Sequence, residues 1–181
     1  MDIVQIKDKR FGLTISEKEI LNAIESVAQR INADLQDKNP LFICVLNGAF
    51  MFAADLMKFV TIPSEVTFVK LSSYEGLMST GKVKEVFGLT ENLSGRTVVI
   101  VEDIIDSGRT LSYLIEILKQ RNPNSIRLCT LLDKPERRVR DVRVDYCCFN
   151  IPDEFVVGYG LDYAQKYRNL PFIGVVELGE D

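Results

Sequence analysis

Along this chain, short continuous apolar runs alternate with longer stretches whose apolar residues recur every three or four positions. The first periodic stretch opens on Ser16, with Glu19 in capping-box position, and carries Ile20, Ile24, Val27, Ile31 and Leu35 on one stripe. This predicts a helix of about five turns that stops near Asn39-Pro40. Leu41–Leu46 reads as a buried strand broken by Asn47-Gly48, and 49–59 as a helix apolar nearly all round. Such a helix is buried on two sides, and in a domain this small a subunit interface can supply the second. A strand over 66–71 leads into Ser72-Ser73-Tyr74-Glu75-Gly76, with a return strand over 82–89. Beyond it come a strand at 97–101, a helix at 110–120, a strand at 126–132 and the basic loop Lys134-Pro135-Glu136-Arg137-Arg138. The last third reads as short strands and turns. Val/Ile/Leu strands alternating with helices predict an α/β fold with a parallel sheet covered on both faces. Ligands of such sheets lie beyond the carboxyl ends of the strands. Asn47-Gly48, Glu102-Asp103 and Asp133-Lys134 all fall at such ends.

Composition narrows the chemistry. The 181 residues, 46% hydrophobic and 27% charged, suit a single soluble domain. A net charge of -4 argues against a general basic surface for nucleic acid, while leaving room for a local site for a polyanionic small molecule. Histidine is absent, so imidazole catalysis and His-metal sites are excluded. Cys44, Cys129, Cys147 and Cys148 show neither zinc spacing nor a redox CxxC, and three lie in apolar runs. They are expected to be buried free thiols in a reducing compartment. The first residues do not read as a signal peptide and no apolar run reaches membrane-spanning length, so a cytoplasmic protein with no membrane partner is expected.

The richest chemistry lies in Val98-Val99-Ile100-Val101-Glu102-Asp103-Ile104-Ile105-Asp106-Ser107-Gly108-Arg109-Thr110. An apolar strand there delivers two acids, then a third, into a Ser-Gly loop ahead of a helix. The unpaired N–H groups of a helix start suit phosphate. Carboxylates beside phosphate make sense if the ligand also carries hydroxyls, a divalent metal or a proton to be removed. Any one acid at a helix start can be a simple cap, stabilised by the dipole. The cluster as a whole points to a site, although the P-loop pattern is missing.

This run resembles the ribose-phosphate loop of type I phosphoribosyltransferases, and its Val-Glu-Asp-Ile-Ile-Asp-Ser-Gly form resembles their hypoxanthine-guanine branch. Leu46-Asn47-Gly48-Ala49-Phe50, Ser73-Tyr74, Leu132-Asp133-Lys134, and Ile151-Pro152-Asp153 through Leu161-Asp162-Tyr163 fit in the same order. The resemblance covers roughly residues 40 to 175. It implies the type I phosphoribosyltransferase fold over one domain, 1–181: a mainly parallel sheet flanked by helices, with a small hood from both terminal segments and a mobile lid over about 72–90. The implied reaction is Mg²⁺-dependent purine salvage, in which a 6-oxopurine displaces pyrophosphate from 5-phosphoribosyl 1-diphosphate.

The resemblance also implies roles. Glu102 and Asp103 would sit by the ribose hydroxyls, and Asp106 by purine N7 as the general base. Asp106, Ser107, Gly108, Arg109 and Thr110 would line the 5'-phosphate, where backbone N–H groups and hydroxyls suit a dianion. Lys134 would bond the 6-oxo group, Phe155 would stack on the ring, and Val156 would meet its edge with backbone groups, with Asp162 beside the purine. Without the resemblance Lys134 is an ordinary surface lysine and Phe155 a core aromatic. Glu102, Asp103 and Asp162 would serve Mg²⁺; Asn47, Gly48 and Arg168 would meet pyrophosphate. The family commonly has Lys or Arg where Asn47 stands, which shifts the pyrophosphate toward backbone N–H groups, Mg²⁺ and Arg168. A non-proline cis bond is expected between Leu46 and Asn47.

Ser73 and Tyr74 head the lid segment, which on its own reads as a surface hairpin. A closing loop would protect an oxocarbenium-like ribose from water. Tyr74→Ala is then expected to lower turnover and raise donor loss to water, measured as pyrophosphate released per nucleotide formed. Unchanged rates of both would remove the lid from the mechanism. Xanthine or pyrimidine phosphoribosyltransferases are neighbouring readings, and a nucleic-acid-binding sensor of the sugar diphosphate is a third, disfavoured by the lack of a basic face. The all-round apolar helix predicts a homodimer or homotetramer.

Overall fold

A computed structural model describes residues 3–6, 9–73 and 83–177. Strands β1 (Ile3–Ile6) and β2 (Lys9–Ile15) open the chain and are followed by helix α1 (Glu17–Asp34). Ser16 and Glu19 close the expected capping box: the Glu19 N–H donates to Ser16 Oγ at 3.3 Å, and the Ser16 N–H donates to Glu19 Oε2 at 2.8 Å. A cap of this kind is worth about 1 kcal/mol. Next come β3 (Leu41–Leu46), α2 (Phe50–Phe59), β4 (Glu65–Ser73), β5 (Val83–Phe87), β6 (Thr97–Ile105) and α3 (Arg109–Lys119). The chain ends with β7 (Ser125–Asp133), β8 (Tyr146–Asn150), β9 (Val156–Val157) and β10 (Ile173–Glu177).

Six strands form the main sheet in the order β5-β4-β3-β6-β7-β8. Five of them are parallel, and β5 returns antiparallel along the edge of β4. A second, antiparallel sheet has the order β1-β2-β10-β9, so the two ends of the chain build it together. The period of two along β3 shows how the main sheet is covered. Phe42 and Cys44 join the core formed with α1 and α2, whereas Leu41, Ile43 and Val45 join the core formed with α3. The first core also takes in Val156, Tyr159, Leu161 and Ile173, which ties the chain around the small sheet to the main one.

One expectation changes. Strand β6 runs four residues past the predicted end at Val101, because Glu102, Ile104 and Ile105 pair with Thr130, Leu132 and Asp133 of β7. Glu102 and Asp103 therefore sit within the strand rather than after it, and Asp133 likewise closes β7. Within the single chain, helix α2 covers Phe52, Ala53 and Leu56 and leaves Phe50 41% exposed. The four cysteines are free, with Cys44 and Cys129 buried and Cys147 and Cys148 half-buried. Burial pushes the Cys44 and Cys148 thiols up to about 12, so these are packing groups rather than nucleophiles.

Candidate active site

The carboxyl ends of β3, β6 and β7 lie side by side, and the predicted residues gather there. At the end of β6, backbone geometry decides what is available. Helix α3 begins at Arg109 with Gly108 as its cap, at φ 77 and with no side-chain capping bond. The acids upstream are therefore not caps; the Arg109 N–H of the first turn instead donates to Ser107 Oγ at 3.4 Å. Arg109 and Thr110 are exposed. A hollow of about 110 Å³ is lined by Glu102, Asp106, Ser107, Gly108 and Thr110, among others. Positive potential from the helix N-terminus suits a phosphate there.

The two acids of the strand differ in burial. Glu102 is buried, and its carboxylate oxygen accepts the Asp103 N–H at 3.1 Å. Loss of water, reinforced by the neighbouring Asp103 charge, pushes the Glu102 carboxyl well above the usual carboxylate range. A carboxyl shifted in this direction holds its proton more readily than an exposed one.

At the end of β3 the Leu46-Asn47 peptide bond is cis, as expected. Asn47 is exposed and the Asn47 carbonyl accepts the Phe50 N–H at 3.3 Å. The next residue is the crowded one. A Cβ on Gly48 would lie 1.8 Å from Asp103 Oδ2, and a Cβ on Gly160 would lie 2.0 Å from the Gly48 carbonyl oxygen. Two glycines thus let the turn after β3, the Asp103 side chain and the chain beyond β9 come together. Arg168 is fixed at the same place: it donates to the Gly160 carbonyl at 2.8 Å and pairs with Asp162 Oδ1 at 3.2 Å. Asn47, Gly48, Asp103, Asp162 and Arg168 form one neighbourhood.

At the end of β7, Lys134 is buried rather than a solvated surface lysine, and its Nζ lies 3.6 Å from Asp153 Oδ1. The Lys134 N–H donates to the Ile105 carbonyl at 2.9 Å, so Asp106 and Lys134 follow directly on paired strand ends. Phe155 is not a core aromatic. It is 54% exposed, edge-on to Tyr163 at 6.0 Å, while Val156 beside it is buried in β9. A ring open to solvent in this way can stack on a flat heterocycle. Ser73 ends β4, and Tyr74 lies outside the described residues.

Sequence reasoning missed three participants. Arg137 Nε lies 2.6 Å from Asp106 Oδ1, and Arg137 Nη1 donates to Asp153 Oδ2 at 3.1 Å. Arg138 pairs with Asp133 beneath the loop. Their one sequence signal was the basic run after Lys134, which does not say which acid each arginine meets. Gly160, the third, has no local signal at all.

Comparison with known proteins agrees with this geometry. The family described as "Phosphoribosyl transferase domain" matches residues 15–164. A hypoxanthine-guanine phosphoribosyltransferase of Streptococcus pyogenes is 48% identical over 163 residues, covering 90% of this chain and 91% of that protein. A hypoxanthine phosphoribosyltransferase structure from Staphylococcus aureus superposes with a TM-score of 0.85 at 39% identity, covering 92% of this chain and 91% of that one. A hypoxanthine-guanine phosphoribosyltransferase structure from Bacillus anthracis gives a TM-score of 0.83 at 44% identity, covering 92% and 96%. With a mainly parallel main sheet and a small second sheet, the chain belongs to the phosphoribosyltransferase family, in its hypoxanthine-guanine branch.

Proposed function

We propose that this chain is a purine-salvage enzyme that transfers the 5-phosphoribosyl group of 5-phosphoribosyl 1-diphosphate to hypoxanthine, and to guanine, giving IMP or GMP and pyrophosphate. The observation that carries this reading is the pairing of β6 and β7, which sets Asp106 and Lys134 next to each other beside the open start of α3. A phosphate bound at Ser107, Gly108, Arg109 and Thr110 places its ribose over Glu102 and Asp103. The base then lies toward Asp106 and Lys134, with Phe155 available to stack on it. Asp106 accepts the proton at purine N7 as N9 bonds to the ribose carbon. Lys134 donates to the 6-oxo oxygen and stabilises the charge that gathers there. Gly48 and Arg168 receive the departing pyrophosphate, with Asn47 contributing less than a basic residue would.

The donor set suits Mg²⁺ carried in with the substrate. No group of three His, Cys, Asp or Glu gathers into a metal cage among the described residues. Magnesium commonly takes one or two carboxylates and fills its shell with phosphate oxygens and water. Asp103 and Asp162 are the carboxylates to hold it, with the buried Glu102 beside them. When bound, the ion neutralises diphosphate charge and so eases its departure.

No helix among the described residues is long and apolar enough to cross a membrane. Four free thiols fit a reducing, cytoplasmic setting. Phe50 on α2 and Val66 and Phe68 on β4, each at least 41% exposed, fit a face covered by a second copy in a homodimer or homotetramer.

Donor, Mg²⁺ and each nucleobase in turn, followed by absorbance, test the reading. The expected result is turnover with hypoxanthine and guanine and little with xanthine or pyrimidines. A preference for xanthine or a pyrimidine would overturn the base assignment.

A further inference from the structure

We infer that Arg137 is a positioning residue: it holds Asp106 and, through Asp153, Lys134 in one arrangement that fits the N7 and O6 edge of a 6-oxopurine. The inference rests on the proposed function and adds to it a part that the resemblance does not supply. Four side chains of alternating charge form a line. Asp106 Oδ1 is 2.6 Å from Arg137 Nε, Arg137 Nη1 is 3.1 Å from Asp153 Oδ2, and Asp153 Oδ1 is 3.6 Å from Lys134 Nζ. The two ends of that line are the groups assigned to N7 and to the 6-oxo oxygen, which are neighbours on one edge of the purine.

The backbone beneath this line is braced as well. The Lys134 N–H donates to the Ile105 carbonyl at 2.9 Å, and the Ser107 carbonyl accepts the Val139 and Arg140 N–H groups at 3.0 and 3.2 Å. A Cβ on Gly108 would lie 3.0 Å from Arg138 Cδ. The loop that carries Lys134 and Arg137 is therefore fastened along the phosphate loop, and Arg137 is its side-chain link to the reacting carboxylate.

Stability does not account for the arrangement. The Arg137 side chain is 49% exposed, and an ion pair that open to water adds little to folding. Its consequence is geometric: the guanidinium is a planar fork that can hold two carboxylates at fixed directions at once. Arg137 meets Asp106 at Oδ1 as an ion pair at 2.6 Å, so its charge draws that oxygen toward the loop after β7.

The test is steady-state kinetics of wild type, Arg137→Gln, Arg137→Lys, Asp153→Asn and the Arg137→Gln/Asp153→Asn double variant, with melting temperatures alongside. A carboxylate misplaced by about 1 Å can cost about a hundredfold. Arg137→Gln is thus expected to lower kcat/KM for hypoxanthine by about ten- to a hundredfold. The KM for the sugar diphosphate and the melting temperature should stay near wild type. Arg137→Lys should recover part of the loss, because an ammonium keeps the charge but not the fork. The double variant should be no worse than the poorer single variant, since both act through one line. Wild-type kinetics in Arg137→Gln, parallel losses toward both substrates, or additive losses in the double variant would each overturn the inference. A wild-type protein that turns over no hypoxanthine would overturn the functional reading and this inference together, so the two failures are distinguishable.

Discussion

Replacing Asp106 by Asn is expected to lower kcat with hypoxanthine by roughly 10²–10⁴-fold, while binding of the sugar diphosphate changes little. The substitution keeps the shape of the side chain and removes its ability to take a proton. The loop should keep its place, because Arg137 retains Asp153 at 3.1 Å and the Ser107 carbonyl keeps both of its backbone bonds. On the proposed reading, the donor's phosphate would meet groups that do not use the Asp106 charge: the amides of α3 and the hydroxyls of Ser107 and Thr110. Isothermal titration of the donor and single-turnover rates with saturating base separate the two effects. Equal loss of binding and turnover would make Asp106 a structural residue.

Gly160→Ala should damage the fold and the site together. Gly160 has φ +101, a conformation that L side chains rarely adopt, and its Cβ would lie 2.0 Å from the Gly48 carbonyl oxygen. That neighbour is backbone at the turn after β3, so it cannot swing away as a side-chain tip can. Strain of this kind costs about 1–3 kcal/mol, before any loss from pushing the two segments apart. In a chain of this size about 3 kcal/mol corresponds to a melting temperature lower by roughly 6–12 °C. Any folded variant should also bind the donor weakly, because Arg168 holds the Gly160 carbonyl and would be displaced with it. Gly48→Ala makes a useful contrast. Its Cβ would meet Asp103 Oδ2, the end of a flexible side chain, so the expected damage falls more on donor binding than on melting. A Gly160→Ala protein that melts and binds as wild type would show that the close approach is unimportant.

Much of this arrangement could be read from residue order. The Ser16–Glu19 box placed the start of α1, and the continuous apolar run 41–46 gave β3 its bounds, because both depend on local chemistry. The acid cluster was legible as a site because three acids before a Ser-Gly turn are hard to explain as caps, and the uncapped Gly108 bears that out. The end of β6 was misread because hydropathy falls at Glu102, whereas the strand is prolonged by pairing with β7, which a single segment does not reveal. The upward shift of the Glu102 carboxyl also depends on burial, which a single segment does not reveal. Arg137 and Gly160 depend on contacts between distant parts of the chain. No local pattern marks an arginine that reaches back to Asp106, or a glycine that must pass the turn after β3.

The claim that this one sheet edge carries out complete phosphoribosyl transfer is tested most directly by product stoichiometry. Wild-type protein with 5-phosphoribosyl 1-diphosphate, Mg²⁺ and hypoxanthine should form nucleoside 5'-monophosphate and pyrophosphate in equal amounts, many times per protein molecule. Tight binding of the donor with no monophosphate formed would contradict it, and would leave a sensor of the sugar diphosphate in place of an enzyme.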